Sequence, residues 1–228
     1  MKSSSDIHRY AQGQTEPCHI CRCPAETFTD EKSKIRYHYC KACEYIFKSS
    51  QYYQELQEQK SRYDLHENNE EHEGYRAYFQ RFLDYIMPLV GQPSSALDFG
   101  CGKSSLLAAL LKENGIACDY YDPIYHPDNL VEGKKYDLIV STEVFEHLHQ
   151  PKEVFSELLS RLEKGGYLAI QTQFHPKDIQ AFKQWYYHQD PTHIVFFTAY
   201  TFEVLCAIFG CAFVGENGKN MVVVQKRG

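Results

Sequence analysis

The stretch Ala96-Leu97-Asp98-Phe99-Gly100-Cys101-Gly102 decides the fold, because a short apolar run ends there in a glycine turn. A stripe of leucines between residues 106 and 111 follows at the spacing of one helix face, and Asn114-Gly115 is typical of a helix end. An open α/β sheet binds its ligand where a strand passes through such a turn into a helix. The stretch therefore predicts a ligand site at the carboxyl end of a strand.

Strand and helix signals continue to alternate beyond this turn. We predict strands at residues 117–121, 136–140 and 167–170, and a helix at residues 154–162 that Gly165-Gly166 ends. This alternation implies parallel strands joined by right-handed helical crossovers. A helix at residues 200–209 precedes strands at 212–215 and 221–225, which predict a hairpin. The predicted fold class is α/β: a Rossmann-like, doubly wound, mostly parallel sheet with an antiparallel C-terminal hairpin.

The chain before this region divides into three predicted parts. Residues 1–16 have no hydrophobic period and predict a flexible tail, and residues 17–47 form a cysteine-bearing module. Residues 48–90 predict a helical linker and a sheet-covering helix, because an aromatic stripe from Tyr75 to Ile86 has helical spacing and stops near Pro88. Residues 91–228 are the predicted ligand-binding domain.

Three classes of cofactor bind at glycine turns, and the residues around this turn separate them. A nicotinamide fingerprint needs a third glycine where Ser105 stands, and a phosphate-binding loop needs one where Leu97 stands. Asp98, Gly100 and Gly102 instead form D-x-G-x-G, the pattern of S-adenosylmethionine (SAM) binding. Asp122 ends the next predicted strand, roughly twenty residues later, where dinucleotide folds place an acid that binds ribose hydroxyls. The alternative is that Asp122 only opens a turn and Asp98 is a solvated strand end.

Four segments resemble successive signature segments of class I SAM-dependent methyltransferases: Leu97-Asp98-Phe99-Gly100-Cys101-Gly102, Tyr136-Asp137-Leu138-Ile139-Val140, Glu143-Val144-Phe145-Glu146-His147-Leu148 and Lys164-Gly165-Gly166-Tyr167-Leu168. The resemblance covers residues 75–228 and implies in-line transfer of the SAM methyl group to an oxygen or nitrogen of a small-molecule acceptor. It implies SAM binding by Asp98, Gly100, Gly102 and Asp122, with Pro123 and Ile124 at the adenine. Between residues 122 and 136 the chain is too short for the usual helix and a well-formed third strand.

A narrower resemblance involves residues 185–193, Trp-Tyr-Tyr-His-Gln-Asp-Pro-Thr-His, followed by Phe196-Phe197. This segment is similar to a bacterial methyltransferase group with mostly unassigned substrates. Trp185, Tyr186 and Tyr187 either wall the substrate pocket or pack in the core or on the surface. His193 is expected in a loop at the same sheet edge as Gly100. Because the ordinary pKa of histidine is about 6.5, His193 is a candidate metal-free general base.

Glu143, Glu146 and His147 have the spacing i, i+3 and i+4, which places them on one face of a predicted helix. They resemble the Glu, Glu, His set of small-RNA 3′-terminal 2′-O-methyltransferases and ubiquinone-pathway O-methyltransferases, with His193 in the place of the completing histidine. The resemblance implies a possible divalent site for Mg2+ or Mn2+, which would bind two adjacent hydroxyls and lower the pKa of one. Alternatively, the glutamates complement a helix N-terminus and His147 packs beneath them.

The cysteine-bearing module has the spacing of a zinc site. Cys18 and Cys21 form one CxxC pair, Cys40 and Cys43 form another, and 18 residues separate the pairs. Such pairs fold into one tetrahedral thiolate site, so we predict a small zinc knuckle. A nearby cysteine or histidine, such as Cys23, is an alternative ligand. Four protein ligands close the site, so the zinc is expected to be structural or to help hold substrate.

Composition limits the partners that the chain is expected to bind. Asp and Glu outnumber Lys and Arg by 30 to 24, so there is no broad basic field for a nucleic-acid backbone. An RNA 2′-O-methyltransferase is therefore the runner-up to a small-molecule enzyme, and an adaptor that binds SAM and zinc without turnover is the third hypothesis. We expect a cytoplasmic protein without a membrane segment, because no stretch resembles a signal peptide or a bilayer span. The sequence does not set the oligomeric state.

Overall fold

The computed structural model describes residues 16–53, 73–129 and 132–228. Residues 1–15 of the predicted tail (1–16), and residues 54–72 of the predicted linker and covering helix (48–90), lie outside the described residues. Strands are numbered along the chain as β1 (Glu16–Pro17), β2 (Pro24–Thr29), β3 (Arg36–Cys40), β4 (Tyr45–Lys48), β5 (Ser95–Phe99), β6 (Ala117–Tyr121), β7 (Tyr136–Thr142), β8 (Leu162–Gln171), β9 (Val195–Phe196), β10 (Ala212–Glu216) and β11 (Met221–Gln225). The α-helices are α1 (Glu73–Val90), α2 (Leu106–Glu113), α3 (Pro151–Ser160), α4 (Ile179–Gln184) and α5 (Ala199–Phe209).

The larger sheet confirms the predicted α/β fold. Its six strands have the order β10-β11-β8-β7-β5-β6. Strands β6, β5, β7 and β8 are parallel, whereas β11 pairs antiparallel with both β8 and β10. The C-terminal hairpin is therefore antiparallel, as predicted, and the ligand-binding edge lies where β5 and β6 end.

Helices cover both faces of this sheet, as expected for a doubly wound fold. Phe82 and Ile86 of α1 pack with the leucines of α2 on one face. Phe155 of α3 and Phe202 of α5 pack on the other face. Among the described residues, none of the helices combines the length and apolar character needed to cross a bilayer.

The segment after β6 has the short form that the sequence predicts. Asp122 bridges to His126, and a single 3-10 turn spans Pro127–Asn129 before β7 begins at Tyr136. Strand β6 is consequently the outer strand of the sheet. Its Asp119 contacts Lys134 and accepts a hydrogen bond from Tyr136 Oη at 2.8 Å, which places polar groups on the strand edge.

Strand β8 differs from the prediction at its start. Helix α3 ends at Ser160 and β8 runs from Leu162 to Gln171, so the Gly165-Gly166 pair lies inside the strand. The pairing register with β7 shifts between Tyr136 and Leu138 opposite this pair. The glycines thus accommodate an irregularity in the strand, and they do not end the helix.

The smaller sheet joins the cysteine-bearing module to the main domain. Its strand order is β1-β2-β3-β4-β9, and β9 comes from residues 195–196. Ile46 pairs with Phe196 and Phe47 with Val195 in antiparallel register. The module is therefore packed against the segment that follows His193.

Candidate active site

The glycine turn has a backbone conformation that requires Gly100. Its φ is +79°, and a Cβ built there lies 2.3 Å from Cγ2 of Val144. The amides of Gly100 and Cys101 donate to the carbonyl of Tyr121 at 2.8 and 3.0 Å. Gly102 also has a left-handed φ, +65°, but a Cβ there meets nothing within 4 Å. The turn is thus fixed on its protein side and open in front of Gly102.

Asp122 ties this turn to the loop after β6. One carboxylate oxygen accepts a hydrogen bond from the Gly102 amide at 3.0 Å. The other accepts from the amides of Ile124 and Tyr125 at 2.8 and 3.0 Å. Pro123 is exposed and Ile124 is partly buried. The structure brings Gly102, Asp122, Pro123 and Ile124 together at one edge of the sheet, where the sequence predicts the cofactor.

Asp98 contributes a buried acceptor beneath the same turn. The side chain is 2% exposed, and its Oδ2 has no hydrogen-bond partner among the described residues. Burial raises the pKa of Asp98 to about 7, and the charge of Asp122 acts in the same direction. A buried carboxylate oxygen without a partner needs a hydrogen-bond donor. SAM bound at the glycine turn could supply that donor.

Two glutamates, Glu143 and Glu146, lie on either side of Val144 along the chain. Glu143 has an unusual φ of +54°, and its carboxylate accepts hydrogen bonds from Tyr78 Oη at 2.6 Å and Tyr187 Oη at 2.8 Å. Glu146 is fully buried, accepts from Thr172 Oγ1 at 2.8 Å and also contacts Tyr187 Oη. A phenol has one proton, so Tyr187 donates to only one of the two carboxyl groups at a time. Burial and the neighbouring Glu146 raise the pKa of Glu143 to about 8.

Two histidines complete this group. His147 Nδ1 lies 2.9 Å from the carbonyl of Thr192, and His193 Nδ1 lies 2.7 Å from the carbonyl of Tyr187. Because a carbonyl only accepts hydrogen bonds, both Nδ1 atoms carry the proton and both Nε2 atoms have a lone pair. Burial, together with the nearby His147, lowers the pKa of His193 to about 3. Both rings are therefore neutral at neutral pH, since burial also lowers the pKa of His147.

Glu146, His147 and His193 have the arrangement of a metal centre. One ligand atom from each lies within 4.8 Å of the others. Glu143 is outside this group of three, although the sequence predicts it as a fourth member. The backbone carbonyls that accept from the two Nδ1 atoms orient both rings, as the second shell of a metal site does. The donor set consequently fits a divalent ion.

The local structure around Glu143 differs from the predicted helix. Only Phe145–His147 forms a helical turn, of the 3-10 type, and Glu143 precedes it in a left-handed conformation. Helix α3 begins later, at Pro151, which is favoured at a first helical position. The tight turn therefore places Glu146 and His147 side by side, and the chain returns at His193 to complete the group. The prediction that Glu143, Glu146 and His147 share one helix face is wrong.

The four predicted zinc ligands are also brought together. Cys18 Sγ lies 3.5 Å from Cys43 Sγ, and Cys21 Sγ lies 3.4 Å from Cys40 Sγ. All four sulfur atoms lie within 4.8 Å of one another, and Cys23 is not in this group. A hydrogen bond with the Cys43 thiol lowers the pKa of Cys18 to about 5. Four converging thiols, one of them acidified, are a donor set that fits tetrahedral zinc.

The aromatic segment has three different environments. Tyr187 is buried, with its ring centroid 4.0 Å from that of His193. Trp185 is partly buried 5.0 Å from the Tyr187 ring, whereas Tyr186 is 68% exposed. Of these three residues, Tyr187 is the one that hydrogen-bonds to the carboxylates of Glu143 and Glu146. Tyr78 and Thr172 are site residues that the sequence reasoning missed, since a tyrosine within an apolar helical stripe resembles core packing.

Comparison with known proteins adds the family. The family model described as "Methyltransferase domain" matches residues 69–215. The fold is similar to that of an O-methyltransferase family protein from Burkholderia thailandensis, with a TM-score of 0.53 and 13% identity over 75% of this chain and 63% of that one. It is also similar to human N-acetylserotonin methyltransferase in complex with SAM, with a TM-score of 0.50 and 13% identity over 71% of this chain and 58% of that one. No curated protein matches the sequence significantly. The chain thus spans about 63% of the length of the bacterial structure.

Proposed function

The chain belongs to the methyltransferase-domain family of SAM-dependent enzymes, and from this premise we propose that it methylates an oxygen or nitrogen of a small-molecule acceptor. The observation that carries the proposal is the contact between Gly100 and Val144. It puts the open glycine turn beside the turn that holds Glu146 and His147. A cofactor at the first turn and an acceptor at the second would meet at one edge of the sheet.

The cofactor side is assigned to the residues around the glycine turn. Gly100 and Gly102 let the backbone approach SAM, and Asp98 offers its orphaned oxygen to a donor. A carboxylate has about four lone-pair sites, and three backbone amides occupy three of those on Asp122, so its Oδ2 keeps one for a ribose hydroxyl. Pro123 and Ile124 follow directly and are proposed to contact adenine. SAM supplies an electrophilic methyl carbon on a positively charged sulfur.

The reaction is a direct displacement. The acceptor lone pair forms a bond to the methyl carbon while the carbon–sulfur bond breaks, and S-adenosylhomocysteine leaves. Alignment of the two groups and exclusion of water supply most of the rate. The buried surroundings of Glu146 and His193 favour such exclusion. The proton of an acceptor hydroxyl must leave as the new bond forms.

Two arrangements would assist that proton loss. As a metal-free base, His193 would take the proton on Nε2, but burial that lowers its pKa to about 3 makes it a weak base. As a ligand with Glu146 and His147, it would hold a divalent ion that lowers the pKa of the acceptor hydroxyl. Two imidazoles and one carboxylate suit Mn2+ better than Mg2+. The metal arrangement is thus the better supported of the two.

The cysteine cluster is proposed to hold one structural zinc ion. Cys18, Cys21, Cys40 and Cys43 would occupy all four positions, which leaves none open for chemistry. The apolar residues of so small a module are too few to stabilise it alone, so a bound metal ion is expected to cross-link its strands. The zinc would then maintain the module strands that pair with β9 through β4.

An RNA 2′-O-methyltransferase is the second candidate, because the same metal group would bind a ribose diol. The net charge of −6 opposes it, since RNA affinity depends on basic surface. A SAM- and zinc-binding adaptor without turnover is the third. The buried group around Glu146 has no evident role in such an adaptor.

Labelled SAM would distinguish these candidates when it is mixed with small-molecule, lipid and RNA fractions. We expect label in small molecules, and loss of about a hundredfold in turnover for His193→Ala, the usual range for a proton-transfer group. His149→Ala is the matched control, because His149 is exposed, lies 4.8 Å from the Tyr53 ring and is not part of the Glu146, His147 and His193 group. Normal turnover by His193→Ala would refute its role, and label in RNA alone would select the second candidate.

A further inference from the structure

Lys48 is a buried lysine at the junction of the cysteine-bearing module and the main domain. It is 1% exposed at the end of β4, although a buried ammonium group carries a desolvation penalty. Burial lowers the pKa of Lys48 to about 8, so its charged form still predominates at neutral pH. A methionine of similar length would fill the same space without that penalty. The ammonium group therefore calls for an explanation beyond packing.

The polar contacts of Lys48 lie on both sides of His193. Its Nζ donates to the carbonyl of Asp190 at 3.1 Å and lies 3.4 Å from the carbonyl of Pro191. Its backbone amide donates to the carbonyl of Ile194 at 2.8 Å. One residue at the end of β4 thus holds the chain both before and after His193.

Backbone hydrogen bonds of the same loop connect Lys48 to the group formed by Glu146, His147 and His193. The Asp190 carbonyl that accepts from Lys48 also accepts from the His193 amide at 3.2 Å. Thr192, between them, accepts from His147 Nδ1, and the Ile194 amide donates to the Glu146 carbonyl at 2.8 Å. The backbone position of this loop therefore sets where His193 meets Glu146 and His147.

We propose that Lys48 is a positioning residue of the acceptor side: its ammonium group fixes the Asp190-Pro191 turn so that His193 is presented to Glu146 and His147. Pairing of β4 with β9 fixes residues 195–196 but reaches no residue before Ile194. Within the turn, the Asp190 carboxylate accepts from the amide and the hydroxyl of Thr192 at 2.9 and 2.7 Å. The long lysine side chain adds the contact that ties this turn to β4. This inference rests on the proposed role of His193 in methyl transfer.

The experiment compares Lys48→Met with Lys177→Met in the full-length protein. Lys177 is the matched control, because its ammonium group also joins the module to the main domain, through Glu44 at 2.8 Å, but away from His193. Nitrogen-15 spectra of the imidazole rings report the tautomer of His193. Calorimetry with SAM reports the cofactor side, and thermal unfolding reports stability.

In the wild type and in Lys177→Met we expect a single neutral His193 tautomer with its proton on Nδ1. In Lys48→Met we expect the two His193 nitrogen resonances to move toward the average of both tautomers. SAM affinity should stay within a factor of about two, because the glycine turn has no contact with Lys48. The melting temperature should not fall, because the substitution removes a buried charge. A merely structural lysine would instead lower the melting temperature and leave His193 unchanged.

Unmoved His193 resonances in folded Lys48→Met would overturn the proposal, and so would an equal shift in Lys177→Met. If Lys48→Met fails to fold, Lys48→Gln takes its place, since the amide keeps a donor but ends one bond short of the turn. Unmoved His193 resonances in that variant would also overturn the proposal. Normal turnover by His193→Ala would refute the proposed role of His193 in methyl transfer and leave the tautomer result unaffected, so the two failures are distinguishable.

Discussion

Gly100→Ala is expected to destabilise the protein through two separable effects. A non-glycine residue in the left-handed region costs about 1–2 kcal/mol. The new Cβ would also lie 2.3 Å from Val144 Cγ2, and such overpacking costs about 1–3 kcal/mol more. We expect the free energy of unfolding to fall by about 2–5 kcal/mol in total, a large part of the stability of an ordinary domain.

The two effects are measured with a double-mutant cycle on Val144. Gly100→Ala combined with Val144→Ala removes the collision but keeps the backbone strain. The double variant should therefore be more stable than the sum of the single changes predicts, by about 1–3 kcal/mol. Urea unfolding followed by far-ultraviolet circular dichroism gives each free energy.

Gly102→Ala is the control for backbone strain alone. Its φ is also left-handed, but its Cβ meets nothing within 4 Å, so we expect about 1–2 kcal/mol and no coupling to Val144. Its Cβ would enter the space assigned to SAM, so this variant should lose SAM affinity while it keeps most of its stability. Equal costs for Gly100→Ala and Gly102→Ala, with no coupling to Val144, would refute the packing argument.

Three further predictions concern the rest of the site. Asp122→Asn keeps one acceptor oxygen for the loop amides but removes the charge, so SAM affinity measured by calorimetry should fall by about 1.5–3 kcal/mol; unchanged affinity would exclude a ribose contact. Cys40→Ser should reduce bound zinc from one per chain to nearly none by elemental analysis, and full retention would mean that other ligands hold it. Because the pKa of Glu143 is raised from 4.5 to about 8, the folded protein binds more protons than the unfolded chain between these values, and the free energy of unfolding should fall as pH rises through that window. Glu143→Gln should flatten this slope in urea unfolding at several pH values, and an unchanged slope would assign it to another group.

The meeting of the glycine turn with Asp122 could be predicted from the sequence because its signals are local. The glycine turn and the start of α2 lie within about ten consecutive residues, and Asp122 follows one strand later at a spacing that the fold itself sets. The two CxxC pairs were equally readable, since a tetrahedral thiolate site constrains both the pairs and their separation. In both cases a short segment carries enough geometry to specify the contact.

The acceptor side could be predicted only in part, because its contacts join distant segments. A family resemblance places His193 with Glu146 and His147. The left-handed conformation of Glu143 could not be predicted, because glutamate rarely adopts it and the sequence carries no signal for it. The pairing of β9 with β4 joins residues about 150 positions apart through a strand of two residues, which is too short to show a period of two. The contact of Lys48 with the loop before His193 could therefore not be predicted from the sequence.

This division has a physical consequence for how the protein responds to change. The cofactor turn is fixed by β5, β6 and Val144, whereas the loop that carries His193 is fixed by β4 of the module. Loss of zinc should consequently disturb the acceptor side more than SAM binding, since Cys40 ends β3 and Cys43 lies in the turn that leads into β4. A change at Gly100 should affect both sides, because Val144 separates them and contacts the turn directly. If His193 serves the acceptor as proposed, the module would contribute to the acceptor site, and its metal occupancy would govern acceptor binding through the position of β4.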